Sequence, residues 1–84
     1  MEIYFSKEAW EDYLYWQKTD KAILKSINNL IKDIQRNHFT GIGKPEQLKH
    51  SLQGFWSRRI SLEHRIVYKI SNDTLQILQL RYHY

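Results

Sequence analysis

The 84-residue sequence contains no cysteine, which excludes disulfide bonds and thiolate metal sites. A small domain without such cross-links is typical of the reducing cytoplasm, and we expect a cytoplasmic protein. The N-terminal residues lack the long apolar run of a signal peptide, and no stretch approaches the roughly 20 apolar residues of a membrane span. The spacing of the four histidines is not typical of a metal site, so we expect neither a metal nor a cofactor.

Glycine and proline are also scarce, with three residues of the first and one of the second. Gly41, Gly43 and Pro45 lie close together and interrupt an otherwise regular chain. Residues 38–53 therefore form a long polar connection, and connections of this length in compact domains are often functional. The length of the chain predicts a single domain that spans residues 1–84.

Hydrophobic periodicity predicts the order strand, helix, helix and three strands. The predicted strands span residues 2–5, 55–61, 65–71 and 75–82, and the helices span residues 7–17 and about 20–36. Ser6 caps the first helix, Thr19 or Asp20 caps the second, and Asn72 and Asp73 form a hairpin turn. This pattern predicts an α+β fold, in which two N-terminal helices pack on one face of a mainly antiparallel sheet of four to five strands.

The apolar side chains predict which surfaces are buried. In the first helix these are Trp10, Tyr13 and Leu14, and in the second they are Ile23, Ile27, Leu30, Ile31 and Ile34. Alternation along the strands places a further set toward the helices, namely Trp56, Ile60, Ile66, Tyr68, Ile70, Leu78, Leu80 and Tyr82. The opposite sheet face then carries Arg59, Arg65, Lys69, Arg81 and His83. With a net charge of +4, such a face attracts phosphate, although a merely solvated face is an open alternative.

The same face and the adjacent loop contain the groups that metal-independent RNA cleavage needs. The reaction requires a base for the 2′-hydroxyl, an acid for the leaving 5′-oxygen and a cation for the phosphate. His83 is the candidate acid, because histidine changes its charge near neutral pH. Glu46 in the loop, with Lys49 three residues later, and Arg65 on the middle strand are the candidates for the other roles.

Four segments carry a resemblance to a known family, namely DYLYWQKTDK, GKPEQLKHSLQGFWSRRI, EHRIVY and the terminal RYHY. Over essentially its whole length, the chain resembles the YoeB (Txe) toxins of the RelE/ParE superfamily. The resemblance implies a ribosome-dependent mRNA interferase that cuts mRNA in the ribosomal A site. It assigns Glu46 as general base, His83 as general acid, Arg65 as transition-state cation and Lys49 as its assistant, with Arg59, Tyr84 and Glu63 contacting the RNA.

The resemblance also implies partners. A cognate antitoxin is expected to bind and silence the toxin, the pair is expected to act on operator DNA, and the toxin alone can be a homodimer. Gln47 departs from the family, because many relatives have proline there, and its loss removes a constraint on the loop around Glu46. Two alternatives use the same fold without cleavage, a toxin that poisons another target such as gyrase and an RNA-binding module. The presence of Glu46 and His83 favours the nuclease.

Overall fold

The computed structural model describes residues 1–83, in which two helices pack against a five-stranded sheet. The elements are β1 (Glu2–Phe5), α1 (Lys7–Thr19), α2 (Lys21–Arg36), β2 (Glu46–Gln47), a 3-10 turn (His50–Leu52), β3 (Trp56–Arg59), β4 (Arg65–Ser71) and β5 (Thr74–Gln79). The strand order is β1-β5-β4-β3-β2, in which β1 is parallel to β5 and the other neighbours are antiparallel. The predicted α+β class is therefore confirmed, with five strands.

Polar caps determine where both helices begin. Ser6 Oγ accepts a hydrogen bond from the Ala9 N–H at 3.0 Å, while its hydroxyl donates to the Leu78 carbonyl at 2.7 Å. Asp20 alone separates the helices, since its N–H donates to the last turn of α1 and its carboxylate accepts from the first turn of α2. These bonds satisfy backbone groups that a helix end otherwise leaves without partners.

The apolar stripe of α2 packs on the sheet as predicted. Ile27, Leu30, Ile31 and Ile34 are buried, and Ile23 packs against the same core. The prediction for α1 was wrong in part, because Trp10 and Leu14 are exposed and the buried residues are Ala9 and Trp16. Trp16 is held inside by a hydrogen bond from its Nε1 to the Leu80 carbonyl at 2.9 Å. No helix in residues 1–83 is long and apolar enough to span a membrane.

The hairpin between β4 and β5 has the predicted turn but not the predicted side-chain pattern. Asn72 and Asp73 both have left-handed backbone conformations, with φ of 52° and 57°, as a two-residue hairpin turn requires. The register then shifts by one residue, because Val67 pairs with Gln79 while Tyr68 pairs with Ile77. Such a bulge reverses the inward and outward alternation beyond it.

The structure corrects part of the predicted inward set for β5 and the residues that follow it. The buried residues there are Leu75, Ile77 and Leu80, whereas Leu78 is half-buried and Tyr82 is exposed. On β3 and β4 the predicted helix-facing residues Trp56, Ile60, Ile66, Tyr68 and Ile70 do belong to or pack against the core. The strands predicted at residues 55–61 and 75–82 are shorter in the structure, where they are β3 and β5, and β2 was not predicted at all.

The most unusual core residue is Arg58 on β3, whose side chain is fully buried. Its guanidinium forms an ion pair with Asp33 of α2, with Nη1 and Oδ2 2.6 Å apart. The remaining N–H groups donate to the Tyr68 hydroxyl and to three loop carbonyls, those of Asn37, Thr40 and Ile42. A buried arginine is tolerated only when its donors are paired in this way. Arg58 therefore fixes the loop between α2 and β2 against the sheet.

We expect the ion pair with Arg58 to make the stability of the fold depend on pH. The hydrogen bond from Arg58 lowers the pKa of Asp33 below its ordinary value. The resulting stabilisation is present above the ordinary carboxyl pKa and is lost as the pH falls through the lowered one. Urea unfolding should therefore show that the wild-type protein loses stability as the pH falls below the ordinary carboxyl pKa of about 4.

Two substitutions make this measurement specific. Asp33→Asn should be less stable than wild type at neutral pH and should lose less stability on acidification. Asp73→Asn, in the exposed hairpin turn, is the matched control and should follow the wild-type pH dependence. Parallel pH dependence in Asp33→Asn and wild type would show that other carboxylates govern acid unfolding.

Candidate active site

The pairing of β2 with β3 places Glu46 on the sheet face away from the helices. Glu46 lies opposite Ser57, so the two side chains share one face. Ser57 alternates with Arg58, whose side chain points into the core toward α2. Leu48 is buried and its N–H donates to the Phe55 carbonyl at 2.9 Å, which holds the chain after β2 in place. Glu46, which was predicted to lie in a loop, is therefore part of the sheet.

One arginine lies next to this carboxylate, and a second is paired with that arginine across two strands. Arg59 and Arg65 are directly paired across β3 and β4, on the face that also carries Ser57. Arg65 Nη1 lies 3.9 Å from Glu46 Oε1, and the two side chains are 15% and 58% exposed. Arg59 is exposed. The structure therefore brings Glu46 and Arg65 together, with Arg65 largely enclosed and Glu46 accessible to a ligand, and it pairs Arg59 with Arg65 on the neighbouring strand.

The C-terminal segment, defined here as residues 80–83, returns to the same end of β4. The Arg65 N–H donates to the Tyr82 carbonyl at 3.1 Å. The side-chain amide of Gln79 donates to the carbonyls of Arg81 and His83 at 3.1 and 3.3 Å. These bonds hold the backbone of His83, an exposed residue, beside the strand that carries Arg65.

The other predicted site residues lie at different distances from this centre. Lys49 is exposed and lines, together with Glu46, a surface pocket of about 490 Å³. Glu63 is exposed in the turn between β3 and β4. Lys69 lies on the expected sheet face, with its ammonium 5.5 Å from the centre of the Phe55 ring. Tyr84 lies outside the described residues.

Arg81 departs from the predicted arrangement. Its guanidinium lies 3.7 Å from the centre of the Tyr15 ring of α1 and 4.7 Å from that of Tyr82. Such stacking stabilises an arginine on an aromatic face. The prediction that Arg81 shares the basic sheet face was therefore wrong, because β5 ends at Gln79 and strand alternation no longer sets the direction of Arg81.

Sequence reasoning also missed the polar side chains that support the site. Arg58 has the same strand parity as Trp56 and Ile60, and an arginine among core-facing positions indicates a buried partner. That signal could have identified Arg58, but only the tertiary structure identifies Asp33 as its partner. Nothing in the sequence indicates the role of Gln79, because its hydrogen bonds depend on how the C-terminal segment folds back.

The hydroxyl of Ser57 is buried without a hydrogen-bond partner among residues 1–83. An unsatisfied buried hydroxyl destabilises a protein by roughly 1–3 kcal/mol. Ser57 lies at the centre of the row that joins Glu46 on β2 to Val67 on β4. The described residues therefore leave one donor unused beside the candidate base.

The arrangement contains the groups for acid–base chemistry at a phosphate. An accessible carboxylate can accept a proton, an enclosed arginine can stabilise negative charge, and a histidine on the adjacent segment can donate a proton. Residues 1–83 contain no cluster of three or more His, Asp or Glu side chains that could hold a metal ion.

Comparison with known proteins identifies the family. The sequence profile described as "YoeB-like toxin of bacterial type II toxin-antitoxin system" matches residues 5–84. The chain belongs to this family. It is 61% identical to Toxin YoeB of Escherichia coli strain K12 over 84 residues, which is 100% of both proteins. This YoeB-like chain is therefore the toxin of a toxin–antitoxin system.

Solved structures of similar proteins support the same assignment. A YoeB/ParE toxin from Agrobacterium tumefaciens superposes with a TM-score of 0.98 at 44% identity, and the match covers 100% of both chains. The toxin of a YoeB-YefM complex from Staphylococcus aureus gives 0.93 at 48% identity, covering 100% of this chain and 98% of that one. A YoeB dimer from the same organism gives 0.94 at 49% identity, with the same coverage. The YoeB-like fold is thus shared over the whole chain.

The unpaired Ser57 hydroxyl leads to a prediction about stability. Ser57→Ala removes a buried group without a partner, and we expect the free energy of unfolding to rise by up to about 1 kcal/mol. Thermal and urea unfolding measure the change.

Ser6→Ala is the matched control, because the Ser6 hydroxyl is satisfied and caps α1. The control should lower the free energy of unfolding by about 1 kcal/mol. Destabilisation of similar size in both variants would mean that the Ser57 hydroxyl has a structural role in the free protein.

Proposed function

We propose that this toxin is a ribosome-dependent mRNA interferase, an endoribonuclease that cleaves mRNA in the ribosomal A site and so inhibits translation. The observation that supports this most is the convergence of Glu46 and Arg65 on one sheet face, 3.9 Å apart, beside the segment that contains His83. Family membership supports the same conclusion. No metal takes part in the proposed reaction.

The proposed reaction is an acid–base transesterification followed by hydrolysis. Glu46 accepts the proton of the ribose 2′-hydroxyl, and the 2′-oxygen attacks the adjacent phosphorus. His83 donates a proton to the 5′-oxygen as the bond between phosphorus and that oxygen breaks. The products are a 2′,3′-cyclic phosphate, which water can open to a 3′-phosphate, and a 5′-hydroxyl. Each group acts on a different oxygen, as general acid–base catalysis requires.

Arg65 is the proposed cation for the charge that develops on the phosphate. Its side chain is only 15% exposed, so little reorganisation is needed when that charge forms. Arg59, paired opposite Arg65, and Lys49, in the pocket with Glu46, are proposed to hold the phosphate backbone. Both are exposed and can reach a ligand.

Three further residues have weaker proposed roles in RNA binding. Glu63 and Tyr84 are proposed substrate contacts on the basis of the family resemblance. Arg81 is proposed to act mainly by ordering the C-terminal segment, since its guanidinium already lies on Tyr15.

The proposed partners follow from the relatives. The S. aureus protein is described in a YoeB-YefM complex and as a dimer. We propose that this toxin is silenced by a cognate antitoxin of that kind, that it can form a homodimer, and that it reaches operator DNA only through the antitoxin complex. Its proposed place is the cytoplasm, with the ribosome and translated mRNA as its targets.

Replacing the proposed acid provides the first test. His83→Gln keeps a polar side chain but cannot supply the proton, so cleavage should fall by a factor on the order of 100 or more while ribosome binding is retained. Primer extension on translated mRNA measures cleavage, and cosedimentation with ribosomes measures binding.

Asn29→Gln, which introduces the same side chain on the exposed face of α2, is the control and should cleave normally. Unchanged cleavage by His83→Gln would refute the assignment of His83 as the acid. A wild-type protein that binds ribosomes but leaves mRNA intact would instead favour a non-cleaving toxin or an RNA-binding module.

Replacing the proposed transition-state cation provides a second test. Arg65→Ala should slow the chemical step by more than it weakens binding, because the charge that Arg65 stabilises develops only during the reaction. Single-turnover rates on programmed ribosomes separate the two effects.

Arg36→Ala, at the exposed end of α2, controls for the loss of one positive charge and should leave the single-turnover rate unchanged. Equal losses in binding and rate for Arg65→Ala would reduce Arg65 to a simple phosphate contact.

A further inference from the structure

His64, in the turn before β4, makes a hydrogen bond that the proposed reaction does not use. The backbone N–H of Tyr82 donates to His64 Nδ1 at a distance of 2.8 Å. A backbone N–H can only donate, so Nδ1 must be the unprotonated nitrogen of a neutral imidazole whose proton is on Nε2. The hydrogen bond to Tyr82 therefore requires His64 to be neutral.

The imidazole of His64 is fixed on both of its sides. Its ring packs edge-to-face on the buried Trp16, with centroids 4.8 Å apart, and lies 5.6 Å from the Tyr82 ring. Its main-chain carbonyl accepts hydrogen bonds from the N–H groups of Ile60 and Ser61. The acceptor nitrogen is thus held in one place by the core and by the turn.

Tyr82 needs such an anchor because its backbone is left-handed, with φ of 62°. This conformation is uncommon for a bulky residue and persists when surrounding bonds impose it. Here the Tyr82 N–H is bound by the His64 side chain, and the Tyr82 carbonyl is bound by the N–H of Arg65. Two consecutive residues of the chain therefore hold Tyr82 on both sides, immediately before His83.

We propose that His64 is a positioning residue, whose neutral Nδ1 holds the Tyr82 turn and thereby places His83 beside Arg65. This inference rests on the proposed role of His83. Protonation of Nδ1 places an N–H donor against the Tyr82 N–H donor, so the bond breaks and the C-terminal segment is released. Protonation of His64 therefore disables the enzyme by displacing His83.

The charges that face His64 come from α1 and from the C-terminal segment. Asp12 of α1 accepts the N–H of Leu80 at 3.0 Å, and its carboxylate is attracted to both Arg81 and His64. Burial raises the pKa of Asp12, although this hydrogen bond and the positive charge of Arg81 oppose the rise. The third facing group is the Tyr82 ring.

Two substitutions separate the hydrogen bond from the packing. His64→Asn places a carbonyl oxygen near the position of Nδ1 and cannot be protonated. His64→Leu keeps an apolar side chain against Trp16 but has no acceptor. His50→Asn, which replaces an exposed histidine, is the matched control for hydrogen exchange of the Tyr82 amide.

The first measurement is hydrogen exchange of the Tyr82 amide by NMR, which does not depend on cleavage. Protection should persist in His64→Asn and fall on the order of tenfold in His64→Leu. In wild type it should be lost on acidification, in step with the ¹⁵N signal of His64 changing from the Nε2–H tautomer to the cation. Protection that is insensitive to both the substitutions and the pH would overturn the proposal.

The second measurement is the pH dependence of the single-turnover cleavage rate. His64→Leu should lower the rate on the order of tenfold with ribosome binding unchanged, while His64→Asn should restore it and extend activity to lower pH than wild type. If His64→Leu does not fold, wild type and His64→Asn still provide this comparison. Identical profiles for wild type and His64→Asn would overturn the proposal.

The two measurements also separate this inference from the proposed function. If wild type cleaved no mRNA at any pH, the proposed nuclease would fail. Loss of Tyr82 protection in His64→Leu would still support the positional part of the inference, and retained protection would overturn it.

Discussion

The guanidinium of Arg58 is fully buried, and the arrangement of the loop and sheet around it depends on how its charge is satisfied. Removing an ion from water costs several kcal/mol unless a counterion and further hydrogen bonds replace the water. Asp33 supplies the counterion, while the Tyr68 hydroxyl and three carbonyls of the loop after α2 accept the other bonds. Because these acceptors lie on separate elements, Arg58 joins α2, the loop, β3 and β4 in one network.

This network also determines which side chains of β3 point to the opposite face of the sheet. Ser57 and Arg59 flank Arg58 in sequence, so fixing Arg58 inward fixes their side chains outward. The loop passes close to the ion pair at Gly41, where φ is 116° and a Cβ would collide with the Asp33 carboxylate. It then enters β2, where Glu46 pairs with Ser57. The candidate base and Arg59 are thus positioned from the core.

The candidate acid is positioned differently. His83 follows β5 on a segment whose backbone accepts hydrogen bonds from Gln79 and Arg65 and donates one to His64, instead of forming a strand ladder. The proposed base and cation therefore lie on strands of the sheet, and the proposed acid lies on an exposed position outside the strands.

The sequence by itself determined the features that depend on local pattern. The periodicity of α2, the hairpin turn at Asn72 and Asp73, and the outward direction of Arg59 and Arg65 all follow from neighbouring residues, and each agrees with the structure. The candidate roles of Glu46 and His83 came from the family resemblance and remain predictions. Tertiary structure alone decided the bulge between β4 and β5, the stacking of Arg81 on Tyr15 and the bonds of Arg58 and His64. These features depend on contacts between residues far apart in the chain, and local sequence pattern carries no information about which distant groups will meet.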